Sequence, residues 1–81
     1  MDDKEILARI NEFVGEEQSL RERYRRDELT QGAERRRLEQ LEVALDQCWD
    51  LLRQRRARME AGESPDGARV RSAGEVEGYL Q

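Results

Sequence analysis

The stretch Leu38-Glu39-Gln40-Leu41-Glu42-Val43-Ala44-Leu45-Asp46-Gln47-Cys48-Trp49-Asp50-Leu51-Leu52, continuing through Arg53-Gln54-Arg55-Arg56-Ala57-Arg58-Met59, decides how this chain folds. Its apolar positions Leu38, Leu41, Leu45, Cys48, Leu52 and Met59 keep the alternating three-and-four spacing that lines up one face of a helix. Arg55 is the one interruption of that seam. The same stretch holds the only tryptophan and the only cysteine of the chain. A matching seam precedes it: Ile6, Ile10, Phe13, Leu20 and Tyr24 share a face, Glu17 occupies a place where an apolar residue is expected, and Leu7 and Val14 widen the stripe on one flank.

Local signals bound these two helices. Asp2 or Asp3 can cap the first, and Glu5 follows Asp2 at capping-box spacing, so a helix is expected from about residue 3 to about residue 27. The segment Asp27-Glu28-Leu29-Thr30-Gln31-Gly32-Ala33 then breaks the periodicity, with a turn expected at about 28–31 and a second helix from about 32 to about 61. So short a connection implies an antiparallel hairpin. Gly15, inside the first helix, reads as tolerated rather than as a site of close approach. Glu60-Ala61-Gly62-Glu63-Ser64-Pro65-Asp66-Gly67 carries the strongest stop signals in the chain, and residues 62–81 read as an extended C-terminal tail.

Composition limits what such a hairpin can do alone. In 81 residues with 42% charged side chains there is little from which to build a core, and small chains of this kind add disulfides, a metal or a partner subunit. One cysteine cannot close an internal disulfide, and with no histidine the ligand set for zinc or a di-iron site is missing, so neither metal nor cofactor is expected. Oligomerisation remains, and the expected architecture is all-α: a two-helix hairpin that pairs with a second copy into a four-helix bundle. The dimer and core interface is expected from Ile6, Leu7, Ile10, Phe13, Val14, Leu45, Cys48, Trp49, Leu51 and Leu52, with Trp49 a packing anchor against Phe13.

The acidic balance, a formal net charge of −4, argues against a general nucleic-acid binder. One local exception is the run Arg53, Arg55, Arg56 and Arg58, whose guanidinium forks suit phosphate or an acidic partner; the competing expectation is a solvated or internally paired helix end. No histidine, phosphate-binding glycine loop or activated nucleophile assembles, so no catalysis is expected. The acidic start of the chain leads into no uninterrupted apolar run, which points to a cytoplasmic protein without a membrane partner. Val76, Tyr79 and Leu80 give the tail apolar bulk, and they are expected to dock on surface that the helices leave open.

Met1-Asp2-Asp3-Lys4-Glu5-Ile6-Leu7-Ala8-Arg9-Ile10-Asn11, the block Leu45 to Arg58, and the closing Val76-Glu77-Gly78-Tyr79-Leu80-Gln81 together resemble a family of small, uncharacterised actinobacterial proteins that form a domain of unknown function. The resemblance implies a bacterial cytoplasmic origin and carries no activity across. The sequence therefore points to a structural or interaction module, with a phosphate- or nucleic-acid-associated regulator built on Arg53 to Arg58 as the alternative, and any further protein partner left open.

Overall fold

A computed structural model of the chain describes residues 1–26 and 32–79, with side chains through Val76. Helix α1 spans Asp3–Arg25 and helix α2 spans Gly32–Glu60; a 3-10 turn at Pro65–Gly67 and a short helix α3 at Ala73–Tyr79 follow. The expected turn at 28–31 lies outside the described residues. No strand occurs among the described residues.

Each long helix is fixed at one end by its own sequence. At the start of α1 the Asp2 carboxylate accepts from the Glu5 amide at 2.8 Å, satisfying one of the amides that a helix start leaves without a partner. Asp2 is thus the cap, which leaves Asp3 for another task described below. At the end of α2, Gly62 adopts φ 77°, and the amides of Gly62 and Glu63 donate back to the carbonyls of Met59 and Arg58 at 3.1 and 2.8 Å. That pair of bonds closes a helix C-terminus through a left-handed residue, a conformation that costs any residue with a Cβ. Gly15 has open space around the position a Cβ would take, in keeping with tolerance.

α1 and α2 run antiparallel, since Asp3 at the beginning of α1 meets Arg55 near the end of α2, and Arg23 near the end of α1 meets Glu34 at the beginning of α2. Ile6, Ile10, Leu45 and Leu51 form the core at the open end, with Phe13, Val14, Cys48, Leu52 and Ala68 packed against them. Leu20 and Leu41 form a second cluster towards the turn, and Phe13 also packs against it. Arg37 holds Glu16 through two bonds of 2.6 and 3.0 Å, and Arg21 holds Glu42 at 2.6 Å. These exposed pairs align the helices more than they stabilise them.

The expectation of an extended tail is corrected in part. Ser64 accepts from the Asp66 amide at 3.3 Å and Pro65 supplies a preset φ, which starts the 3-10 turn. The chain then runs extended along α2 and re-enters a helix at Ala73. There the Ser72 hydroxyl accepts from the Glu75 amide at 3.3 Å and bonds the Glu75 carboxylate at 3.0 Å, while the Ser72 carbonyl accepts from Val76 at 3.1 Å. Ser72 caps α3 from a Ser-x-x-Glu spacing, a local signal that the reading of an extended tail overlooks. The whole molecule is a slab of 50 × 25 × 16 Å.

Candidate interaction face and the strapped tail

The two flanks of α2 that do not face α1 differ in kind: the tail covers one, and the other is open. On the covered flank a polar row, Gln47, Asp50 and Gln54, strings the tail to the helix. Gln54 Nε2 donates to the Arg69 carbonyl at 2.6 Å while Gln54 Oε1 accepts from the Arg69 amide at 3.3 Å, so one side-chain amide grips both polar groups of a residue in the extended segment. The same Nε2 donates its second hydrogen to Asp50 Oδ2 at 2.8 Å. Two residues further on, the Arg71 carbonyl accepts from Gln47 Nε2 at 3.0 Å, and the Arg71 guanidinium lies 3.3 Å from Asp50 Oδ2.

Asp50 is only 3% exposed, and a buried carboxylate is costly unless it is paired and hydrogen-bonded. Gln54 and Arg71 satisfy that requirement, with Arg53 a more distant third partner at 3.8 Å. Sequence reasoning offers Asp50 only as an ion-pair partner for the arginine run, and misses Gln47, Gln54 and the row they form with it. Their one visible mark is helical spacing on a single face, and a polar row at that spacing ordinarily means solvent. Val76, on α3, is 1% exposed, and α3 lies against α2. Tyr79 ends α3 and Leu80 follows it; the Tyr79 side chain and all of Leu80 lie outside the described residues.

The arginine run does not form one patch. Arg55 is buried at 7% exposure, where its guanidinium donates to the Asp3 carboxylate, to the Pro65 carbonyl at 3.3 Å and to Asp66 Oδ1 at 3.2 Å. Hydrogen bonding to Asp3 raises its pKa above the usual arginine range, against an opposing effect of desolvation and with help from Asp66. The expectation that Arg55 serves external anions is therefore corrected: it staples α1, α2 and the 3-10 turn to one another. Arg58 donates to the Ser64 carbonyl at 2.6 Å, pairs with Glu63 at 3.4 Å and lies over Gly67, where a Cβ would meet its guanidinium. Arg56 lines the open flank, and Arg53 stands between the two flanks, bordering the groove on one side and lying 3.8 Å from Asp50 on the other.

That flank is a shallow groove of about 410 Å³ lined by Asp3, Leu7, Trp49, Leu52, Arg53, Arg56 and Met59. Leu7, Trp49 and Met59 are 45%, 46% and 51% exposed, a concentration of large apolar side chains that water should not face. Trp49 is thus not the core anchor of the hairpin. Cys48 takes the place beside Phe13, and Trp49, one residue on, is turned by about 100° to the open flank. Of the other expected interface residues, Ile6, Ile10, Leu45 and Leu51 are buried inside the protomer, and Phe13, Val14, Cys48 and Leu52 are half-buried. Burial, against a smaller effect of Arg9, pushes the Cys48 thiol above its ordinary range, which disfavours the reactive thiolate. No group of metal-ligating side chains occurs among the described residues, and no described helix is long and apolar enough to cross a membrane.

Hairpin, strapped tail and open apolar groove define a small all-helical protein with one flank closed by its own C-terminal segment. The chain belongs to the protein family of unknown function DUF2630, whose model matches residues 2–81. It is 48% identical over 77 residues to uncharacterized proteins of Mycobacterium tuberculosis and Mycobacterium bovis, a match that covers 95% of this chain and 88% of each relative. No solved structure matches it.

Proposed function

We propose that this chain is a non-enzymatic protein-interaction module that works as a homodimer. One observation carries the reading: the groove of Leu7, Trp49, Leu52 and Met59 stays open although the tail has closed the opposite flank. Because each large apolar side chain gains about 1.5 to 3 kcal/mol on full burial, covering this groove adds materially to a small domain's stability.

Sedimentation equilibrium at micromolar concentration should return twice the chain mass, and a stable monomer under those conditions refutes the proposal. The rival reading, association with phosphate or nucleic acid through the arginine run, loses Arg55 and Arg58 to internal partners. Binding of labelled nucleic acid that falls steeply with salt would revive it.

A further inference from the structure

We infer that the second copy sits antiparallel on α2, across a two-fold axis at Trp49, and this inference rests on the homodimer proposed above. On α2 the residues Glu42, Asp46, Trp49, Arg53 and Arg56 follow one another at alternating steps of four and three, and so form one stripe along the open flank. The stripe is acidic before Trp49 and basic after it. In the structure Trp49, Arg53 and Arg56 line the apolar groove towards the open end, and Glu42 and Asp46 border a separate depression towards the turn.

A two-fold interface is self-complementary, because each contact between one position and another occurs twice. With the axis at Trp49, Glu42 of one copy and Arg56 of the other stand equally far from it and meet, and Asp46 meets Arg53 to within one position. Leu38 of one copy comes within one position of Met59 of the other, so an apolar pair meets towards each end, while Leu45 stays in the core of its own protomer. The basic end of each copy thereby covers the acidic end of the other, and the two Trp49 rings meet at the centre, where an exposed aromatic gains most from burial. A parallel pairing of the same stripes would set Glu42 against Glu42 and Arg53 against Arg53, which repel. Glu39 and Glu60, the like charges that the antiparallel pairing brings near each other, are both exposed and fall at its outer ends, where salt screens them. Glu42 already pairs with Arg21 at 2.6 Å and Arg53 lies 3.8 Å from Asp50, so on pairing these two share their charge with a partner inside the protomer, whereas Asp46 and Arg56 have no ion-pair partner there among the described residues.

Two charge-reversed variants of the full chain test this, each followed by sedimentation and by the emission of Trp49, the single tryptophan. The variant E42R/D46R makes the stripe wholly basic, and R53E/R56E makes it wholly acidic. Each alone should dissociate with a constant raised about 100-fold, as four attractive rim contacts turn repulsive, while circular dichroism retains the helical signal. Mixed in equal amounts they should form a heterodimer, and Trp49 emission should shift to the blue as they do. If the unaltered chain dimerises but both variants dimerise as well as it does, with Trp49 emission independent of concentration, the antiparallel interface is wrong and the homodimer stands. If the unaltered chain is a monomer, both fall together.

Discussion

Replacing Gln54 by alanine removes three hydrogen bonds at one stroke, and the structure allows the cost to be worked out. Two of the bonds are to the Arg69 peptide, at 2.6 and 3.3 Å, and the third is to the Asp50 carboxylate at 2.8 Å. Neutral bonds contribute about 0.5 to 1.5 kcal/mol each, and bonds to a charge about 1.5 to 3. Arg69 is exposed, so water can replace much of what its peptide loses, whereas Asp50 is 3% exposed and is left with Arg71 and the more distant Arg53. The expected loss is about 2 to 3 kcal/mol, a large part of the roughly 3 to 5 kcal/mol that a core of this size supplies.

Because the strap can open before the hairpin does, the loss should appear first in the tail. In Gln54→Ala the amides of Arg69 and Val76 should exchange hydrogen faster, and trypsin should cleave sooner after Arg69 and Arg71, with a melting temperature lower by upwards of about 8 °C. Gln54→Glu should cost at least as much. It keeps an acceptor for the Arg69 amide, but loses both donated bonds and places a second anion beside the buried Asp50. Unchanged melting together with unchanged protection of the tail in either variant would refute the strap as a source of stability.

Three further outcomes follow from local environments. Val76→Ala, at a site 1% exposed, should cost about 1.5 to 2.5 kcal/mol in chemical denaturation, with the loss concentrated in the docking of α3. Gly15→Ala, where the added Cβ meets open space in the interior of α1, should raise stability by about 0.4 to 1 kcal/mol. Cys48 should react slowly with a thiol reagent in the folded protein and readily in denaturant, because burial raises its pKa above the ordinary 9.0. The unfolded thiol ionises first as pH rises, so this contribution to stability is complete below pH 9 and is lost at higher pH as the folded thiol ionises too. Equal labelling rates in both states would contradict the burial.

What the sequence by itself determined is the part of the fold that depends on neighbours a few residues apart. The Asp2 cap, the left-handed stop at Gly62 and the two seams are all local, since a helix repeats within four residues and its ends are satisfied by side chains next to them. The Ser72 cap is equally local, but two glycines and few apolar residues around it hide the short helix α3, and the sequence reads there as an extended tail. Tertiary structure decided which charged and aromatic residues are buried. Arg55 interrupts a seam and reads as a surface cation until Asp3 and Asp66 close on it from distant parts of the chain. Asp50 and Gln54 read as solvent-facing until the Arg69 to Arg71 segment lies across them. Trp49 reads as core because large aromatics usually are, yet one step of about 100° from Cys48 carries it past the seam to the open flank. Periodicity assigns a residue to a face of its helix, but whether that face meets α1, the tail or water is set by contacts many residues away.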